Sequence, residues 1–290
     1  MSPVKPRQTP PRPAPPRART SVPPLDPLRY APSTERPVRA KARLMAHHMD
    51  IQAHHHDWGQ LVFSINGVVR VNTAHATFLV PPSRAVWIPP RVVHAVTAVE
   101  RCDLRTLYLH GSAGEAGGAQ GVWADCRVLE VSPLLRELVL QLAIHPEDPE
   151  GPATTPQDQA RERCIASLVL DELGRASSLR LGVDLPQDAR LRKLCEAVLA
   201  NPVRHAALAD WAAEVGASER TISRLFREQL GSSYAQWRSQ ALLAHALALA
   251  ARKRPMSLIA AELGYGSASA FTAMVKRTVG MPPSRFFAEA

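Results

Sequence analysis

The sequence predicts an α+β multidomain protein. A small β-barrel with attached helices comes first, and an all-α domain with two helix-turn-helix units follows. Three observations predict this. Short strand-like runs punctuated by Gly and Pro turns fill much of the first half. Two helical segments near the C-terminus repeat one pattern of glycine, serine and apolar residues. Charge and proline divide unevenly between the parts.

The 290 residues suggest two domains, at ~100–200 residues each. The longest apolar run, Ala241 to Ala251, is interrupted by His245. It falls far short of the ~20 residues that span a bilayer, which excludes an integral membrane protein. No apolar stretch follows the basic N-terminus, which argues against a secretory signal. Cys102, Cys126, Cys164 and Cys195 are widely spaced with no Cys-x-x-Cys. They read as reduced, mostly buried thiols of a cytoplasmic protein rather than a disulfide framework or zinc ribbon.

The net charge of +9 divides into +6 over residues 1–40, −3 over 41–185 and +6 over 186–290. A basic C-terminal third beside an acidic middle points to a polyanion partner for part of the chain. Residues 1–40 hold 12 of the 26 prolines. Proline has no amide donor and fits neither helix interiors nor central strands. Residues 1–42 therefore read as a disordered, Pro/Arg-rich tail.

Residues 43–130 read as the barrel. Leu61 to Ile65 and Val68 to Val71 flank Asn66-Gly67, whose positive φ angles suit a tight hairpin. Further strands are expected at Thr77–Val80, Ala85–Ile88, Val92–Val96 and Arg101–Leu109, with Pro81-Pro82 and Pro89-Pro90 between them. Alternate residues of a strand share a face, so His54, His56 and Gln60 can point the same way. His94 lies on a separate strand and can close the group.

This region resembles the cupin barrel. The first cupin motif reads His54-His55-His56-Asp57-Trp58-Gly59-Gln60, and the second reads Trp87-Ile88-Pro89-Pro90-Arg91-Val92-Val93-His94. The resemblance implies a divalent metal on His54, His56 and His94, since neutral imidazole suits first-row metals. Gln60 stands where metal-binding cupins usually carry Glu, so a carboxylate is missing. The same residues also read as a barrel mouth without an ion. His47, His48 and His55 lie nearby and can bind metal adventitiously. A small-molecule pocket is expected there, with Trp58, Phe63 and Trp87 as apolar walls.

Residues 131–185 carry two helical patterns. Ser132-Pro133 opens one, with a stripe of Leu134, Leu135, Leu138 and Leu142. The second covers Gln157 to Arg175, with Ile165, Leu168, Val169 and Leu173 on one face; the acidic, Pro-rich stretch from His145 to Pro156 reads as a loop. These helices either pack on the barrel or pair with a second copy, and a homodimer is the favoured reading.

From residue 186 the pattern is helical. Leu208–Val215 ends at Gly216, suited to a left-handed turn, and Ser218 caps the next helix. There Ile222, Leu225 and Phe226 face the core, while Arg220, Ser223, Arg224 and Arg227 share the opposite face. A second unit repeats this: Gly264 matches Gly216, Ser267 matches Ser218 and Phe271 matches Ile222. The Ala/Leu-rich stretch Tyr234 to Ala251 joins them as a rigid core helix.

The paired units and the terminal Gly280-Met281-Pro282-Pro283 resemble the DNA-binding domain of AraC/XylS-type transcriptional regulators, over roughly 186–290. With the cupin-like part, 45–290 looks like one such regulator. The resemblance implies recognition helices in successive major grooves of double-stranded DNA. It also implies a sensor domain for a small effector or for dimerisation, RNA polymerase as a further partner, and no catalysis. The alternative is a metal-dependent cupin enzyme carrying a DNA-binding module. Val275 departs from the family's usual Phe, with Met274 and Phe271 placed to compensate.

The first recognition helix offers Arg220 and Arg224, and arginine can bond guanine O6 and N7 together. The second offers Ala268, Ser269, Thr272 and Ala273, short side chains with poor reach, and Lys276 near the backbone. The first unit is therefore expected to discriminate bases and the second to position the protein on phosphates. Arg238, Arg252, Lys253 and Arg254 read equally as phosphate contacts or as solvated charge.

Overall fold

A computed structural model of the chain describes residues 20–26, 28–111, 123–144, 155–179, 182–205 and 207–287. The strands run β1 Thr20–Val22, β2 Val38–Met45, β3 Met49–His54, β4 Gly59–Ser64, β5 Val69–Thr73, β6 Ala76–Val80 and β7 Arg84–Ile88. They continue with β8 His94–Ala98, β9 Cys102–Leu109, β10 Arg127–Glu130, β11 Ala143–Ile144, β12 Ser178–Leu179 and β13 Val183–Asp184. They form two sheets, ordered β1-β3-β8-β5-β6-β13 and β11-β2-β9-β4-β7-β10-β12. The expected barrel is thus two facing sheets. The pairing within both is antiparallel except for β1 on β3 and β11 on β2.

The folded domain begins earlier than expected. Thr20–Val22 pairs with Met49–Ile51, and β2 pairs with β9 along its whole length, Val38 with Leu109 to Met45 with Cys102. Residues 20–42 are therefore not a tail, while 1–19 lie outside the described residues. The physical reason is visible in β2. Val38, Ala40 and Ala42 alternate with Arg39, Lys41 and Arg43, a strand period that a basic composition obscures.

Alternation assigns each sheet two faces. Val62, Val86, Val96, Leu104 and Met45 fill the space between the sheets. Leu61, Phe63, Trp87 and Leu107 of the seven-stranded sheet face the other way, under the helices Pro133–Leu142 and Pro156–Arg175. Those helices bury Leu135, Leu138, Val139, Ile165, Val169 and Leu173 against it. Ser132 caps the first through the Leu135 amide at 3.0 Å, and Thr155 with Asp158 makes a capping box on the second. The expected loop from His145 lies outside the described residues until Thr155. At Gly59 a Cβ would come within 2.0 Å of the Trp87 ring, so only glycine lets that indole lie across the strand.

From Ala189 onward the described elements are all helices: Ala189–Ala200, Leu208–Glu214, Glu219–Leu230, Tyr234–Ala251, Met256–Glu262, Ala268–Val279 and Pro283–Phe286. Tyr234–Ala251 is the hub. Its buried residues circle the helix, from Trp237 through Leu242, Leu243, Ala246 and Leu247 to Ala250, which is what a helix apolar on all sides requires. It packs on β6 and β13 as well as on its helical neighbours. Trp237 Nε1 donates to Asp184 O at 2.7 Å, and Arg252 pairs with Glu100 of the sheet domain at 3.1 Å. The two domains are thus in direct contact.

Candidate DNA-reading helices and sensor site

Gly216 and Gly264 both take positive φ, at 64° and 78°. Each lets the chain reverse between a short helix and a longer one. Ser218 Oγ then accepts from the Thr221 amide, and Ser267 Oγ from the Ala270 amide, both at 3.1 Å. Both longer helices end on a left-handed glycine, Gly231 and Gly280. Ile222, Leu225 and Phe226 are buried in the first, and Phe271, Met274 and Val275 in the second. Val275 is fully buried. It shares a core cluster with Phe271, which is stacked at 6.2 Å on Phe287, with Tyr265 edge-on at 5.5 Å.

On the open face of the first helix, Arg220, Arg224 and Arg227 are exposed and Ser223 is half-buried. Arg224 Nη1 is held by Glu228 at 2.7 Å, an exposed i,i+4 pair, weak enough to exchange for another partner. On the second helix Ser269 and Lys276 are exposed and Thr272 is half-buried. Arg277, which the sequence reading does not single out, is exposed beside Lys276. Arg238, on the hub helix, sits in a different setting from these exposed side chains. It is half-buried and its Nη2 donates to Pro202 O at 2.9 Å, tying the hub helix to the end of Ala189–Ala200. Arg254 is paired with Glu262 at 2.7 Å.

The second cluster lies in the sheet domain. His54 ends β3, His94 begins β8 and the two are paired across the ladder. His56 follows β3, and Gln60 lies on β4. One ring nitrogen from each of His54, His56 and His94 lies within 4.8 Å of the others. Each Nδ1 faces a backbone carbonyl: Gln52 O at 2.8 Å, Trp58 O at 2.7 Å and Val92 O at 2.9 Å, respectively. The His56 and His94 Nε2 atoms both face Gln60 Oε1, at 2.5 and 3.1 Å. Trp58 stacks on His56 with ring centres 5.4 Å apart. The structure thus brings His54, His56, Gln60, Trp58 and His94 together. Phe63 and Trp87 are not walls of this site: their strand parity turns them outward beneath the helices, and Trp87 Nε1 donates to Trp123 O at 2.9 Å.

Burial holds all three imidazoles below the usual histidine range, with His94 at about 3. Further neighbours lie outside the residues that the sequence pattern singles out. Lys41 of β2 is 8% exposed, donates to the Tyr108 hydroxyl and lies 5.6 Å from the Tyr30 ring centre. Among the described residues it has no ion pair. Burial, with Arg43 nearby, pushes its ammonium down to about 7. Pro24 and Leu25 complete the rim of a depression that Lys41, Arg43, His54 and Gln60 also line. The alternation in β2 was the signal that would have found Lys41.

Comparison with known proteins now bears on these surfaces. Residues 36–164 match the AraC-like ligand binding domain, and residues 211–289 match a helix-turn-helix domain. The chain is 32% identical over 235 residues to the HTH-type transcriptional regulator NimR of Escherichia coli, covering 81% of each protein. It is 30% identical over 118 residues to the arabinose operon regulatory protein of Salmonella typhimurium, covering 39% of this chain and 41% of that one. A crystal structure of ToxT from Vibrio cholerae aligns over 87% of this chain and 98% of its own, with 11% identity and a TM-score of 0.36. The chain belongs to the AraC family of helix-turn-helix transcriptional regulators, with a ligand-binding domain preceding its DNA-binding domain.

Proposed function

We propose that the protein reads double-stranded DNA through the helices Glu219–Leu230 and Ala268–Val279 in successive major grooves. Arg220 and Arg224, with Ser223 and Arg227, carry most of the base discrimination. Ser269, Thr272 and Lys276 mainly set the second helix on phosphates. The observation that carries this reading is the contrast between matching skeletons and different open faces: three exposed arginines on one helix, against short side chains and terminal cations on the other.

The effector is a small molecule taken at the histidine end of the sheet domain, beside His54, Gln60 and Lys41. The direct sheet–hub contacts support a path from that site to the reading helices. The protein acts in the cytoplasm as a homodimer. Support for the dimer comes from Leu134 and Leu168, which stay 50% and 48% exposed on helices that bury Leu135, Leu138, Val139, Ile165, Val169 and Leu173. A regulator fits better than an enzyme because Gln60 occupies the position where a catalytic metal centre would place a carboxylate. Among the described residues no helix is long and apolar enough to cross a membrane.

Selection of binding sites from random duplex DNA, repeated with candidate effectors, tests this. It is expected to return one recurring motif whose enrichment changes with an effector. Recovery of sequences no different from the starting pool would refute it.

A further inference from the structure

We infer that the effector carries a carboxylate, which Lys41 and Arg43 bind together inside the sheet domain. This inference rests on the effector site proposed above and names the chemical class that the site selects. The starting point is strand parity. In β2, Lys41 and Arg43 share the face that carries Met45 into the space between the sheets. Two successive inward positions on one strand are therefore cationic. Lys41 is buried and Arg43 half-buried. The charged group that bears on Lys41 is Arg43, which repels it.

An ammonium has three donors. One goes to the Tyr108 hydroxyl. The Tyr108 and Tyr30 ring centres lie 4.7 and 5.6 Å from Lys41 Nζ, and cation–π attraction offsets part of the lost hydration. No carboxylate of the described residues completes the set. Asp26 and Asp50 flank the lining residues Leu25 and Ile51 in sequence, but Asp26 accepts from the Leu28 amide and Asp50 from the Thr97 hydroxyl. A buried cation with spare donors and no counter-ion is costly, and an arriving anion offsets that cost. Tyr30 adds a second spare donor. It is 2% exposed, and its hydroxyl has no hydrogen-bond partner among the described residues.

Size narrows the class further. The space lined by Lys41, Arg43, His54 and Gln60 is about 10 Å3, room for one small group. It takes the head of a ligand rather than a whole molecule. A carboxylate head is planar and offers one oxygen to each cation in a charge-assisted bond. A tetrahedral phosphate is larger, and a neutral head leaves the ammonium uncompensated. Leu25, Val96 and Leu104 line the rest of the depression, so the body behind the head is apolar.

The competing arrangement keeps Lys41 as an uncharged amine on Tyr108, a state that burial favours and that needs no anion. One experiment separates the two. Full-length protein is titrated by calorimetry, at fixed ionic strength in chloride, with butyrate and phenylacetate and with their neutral amides, butyramide and phenylacetamide. The expected result is one acid bound per chain for at least one of the pair, at least about tenfold tighter than its amide. Lys41→Met should weaken that acid at least about tenfold and leave the amide unchanged. Should Lys41→Met fail to fold, Lys41→Gln makes the same test. Leu104→Trp, which fills the depression, should abolish binding of both. Acid affinity unchanged in the Lys41 variant would overturn the inference alone. Amides that bind the parent as tightly as the acids, with both lost in Leu104→Trp, would also overturn it while leaving the effector site in place. Binding of neither class, or binding that Leu104→Trp leaves intact, would overturn the effector site and the inference together.

Discussion

The reading helices and the histidine end of the sheet domain place their polar groups in opposite settings. On the helices, Arg220, Arg224 and Arg227 stand in solvent above a buried triad of Ile222, Leu225 and Phe226. In the sheet domain, Lys41, His56, Gln60 and His94 are themselves buried. An exposed cation keeps its hydration until a partner arrives. A buried one has already lost it. Reading DNA therefore demands little of the fold, whereas sensing is built at a standing cost to stability. The first surface should tolerate substitution without unfolding, and the second should gain stability when its polar groups are removed.

The largest expected effect concerns the skeleton that both reading helices share. Phe226→Ala and Phe271→Ala should each cost about 3–5 kcal/mol in urea unfolding. If one of them costs under about 1 kcal/mol, the two units are not equivalent supports.

Lys41→Met should sharpen the contrast from the other side. Replacing a buried unpaired cation by an apolar chain should stabilise the protein by about 1–4 kcal/mol at pH 7. The gain should shrink toward pH 10, because the unfolded lysine titrates near 10.4 while the folded one does so at about 7. Urea melts of both proteins at the two pH values check this. A destabilised variant would mean that Lys41 has an anionic partner.

His94 gives the pH signature of the buried site. Its folded pKa is about 3, against an unfolded value of about 6.5. Its cost to stability is least above about 6.5 and grows as pH falls toward 3, because the unfolded chain takes up the proton first. Chelator-treated His94→Asn should therefore lose stability less steeply than the parent between pH 6.5 and 4. An identical slope would place His94 in a more hydrated setting.

The smallest stability effects belong to the reading face. Arg220→Ala, Arg224→Ala and Lys276→Ala should each stay within about 0.5 kcal/mol of the parent. Their only large effect should be on DNA.

Sequence pattern reached these two regions unevenly, for a physical reason. Helix punctuation is local: Gly216, Ser218, Gly264 and Ser267 each announce their own turn or cap, and the structure places all four as read. Sheet partners are not local. The alternation in β4 and β7 shows that Phe63 and Trp87 share a face, but not which face meets the opposing sheet. The helices Pro133–Leu142 and Pro156–Arg175 decide that from elsewhere in the chain. Arg238 has a similar history. Its charge was legible and its use on the Pro202 carbonyl was not, because that partner lies 36 residues away. In β2 the basic, proline-rich composition of the N-terminus outweighed a clear period of two. The same composition hides Lys41.

The central claim is a division of labour between the two reading helices. It is tested most directly by measuring, at one fixed salt concentration, the affinity of parent, Arg224→Ala and Lys276→Ala for a selected duplex and for a scrambled one. The account predicts that Arg224→Ala loses about 1–3 kcal/mol on the selected duplex and little on the scrambled one. Lys276→Ala should weaken both alike and reduce the salt dependence by about one counterion. Equal losses on both duplexes for Arg224→Ala, with a selective loss for Lys276→Ala, would contradict it.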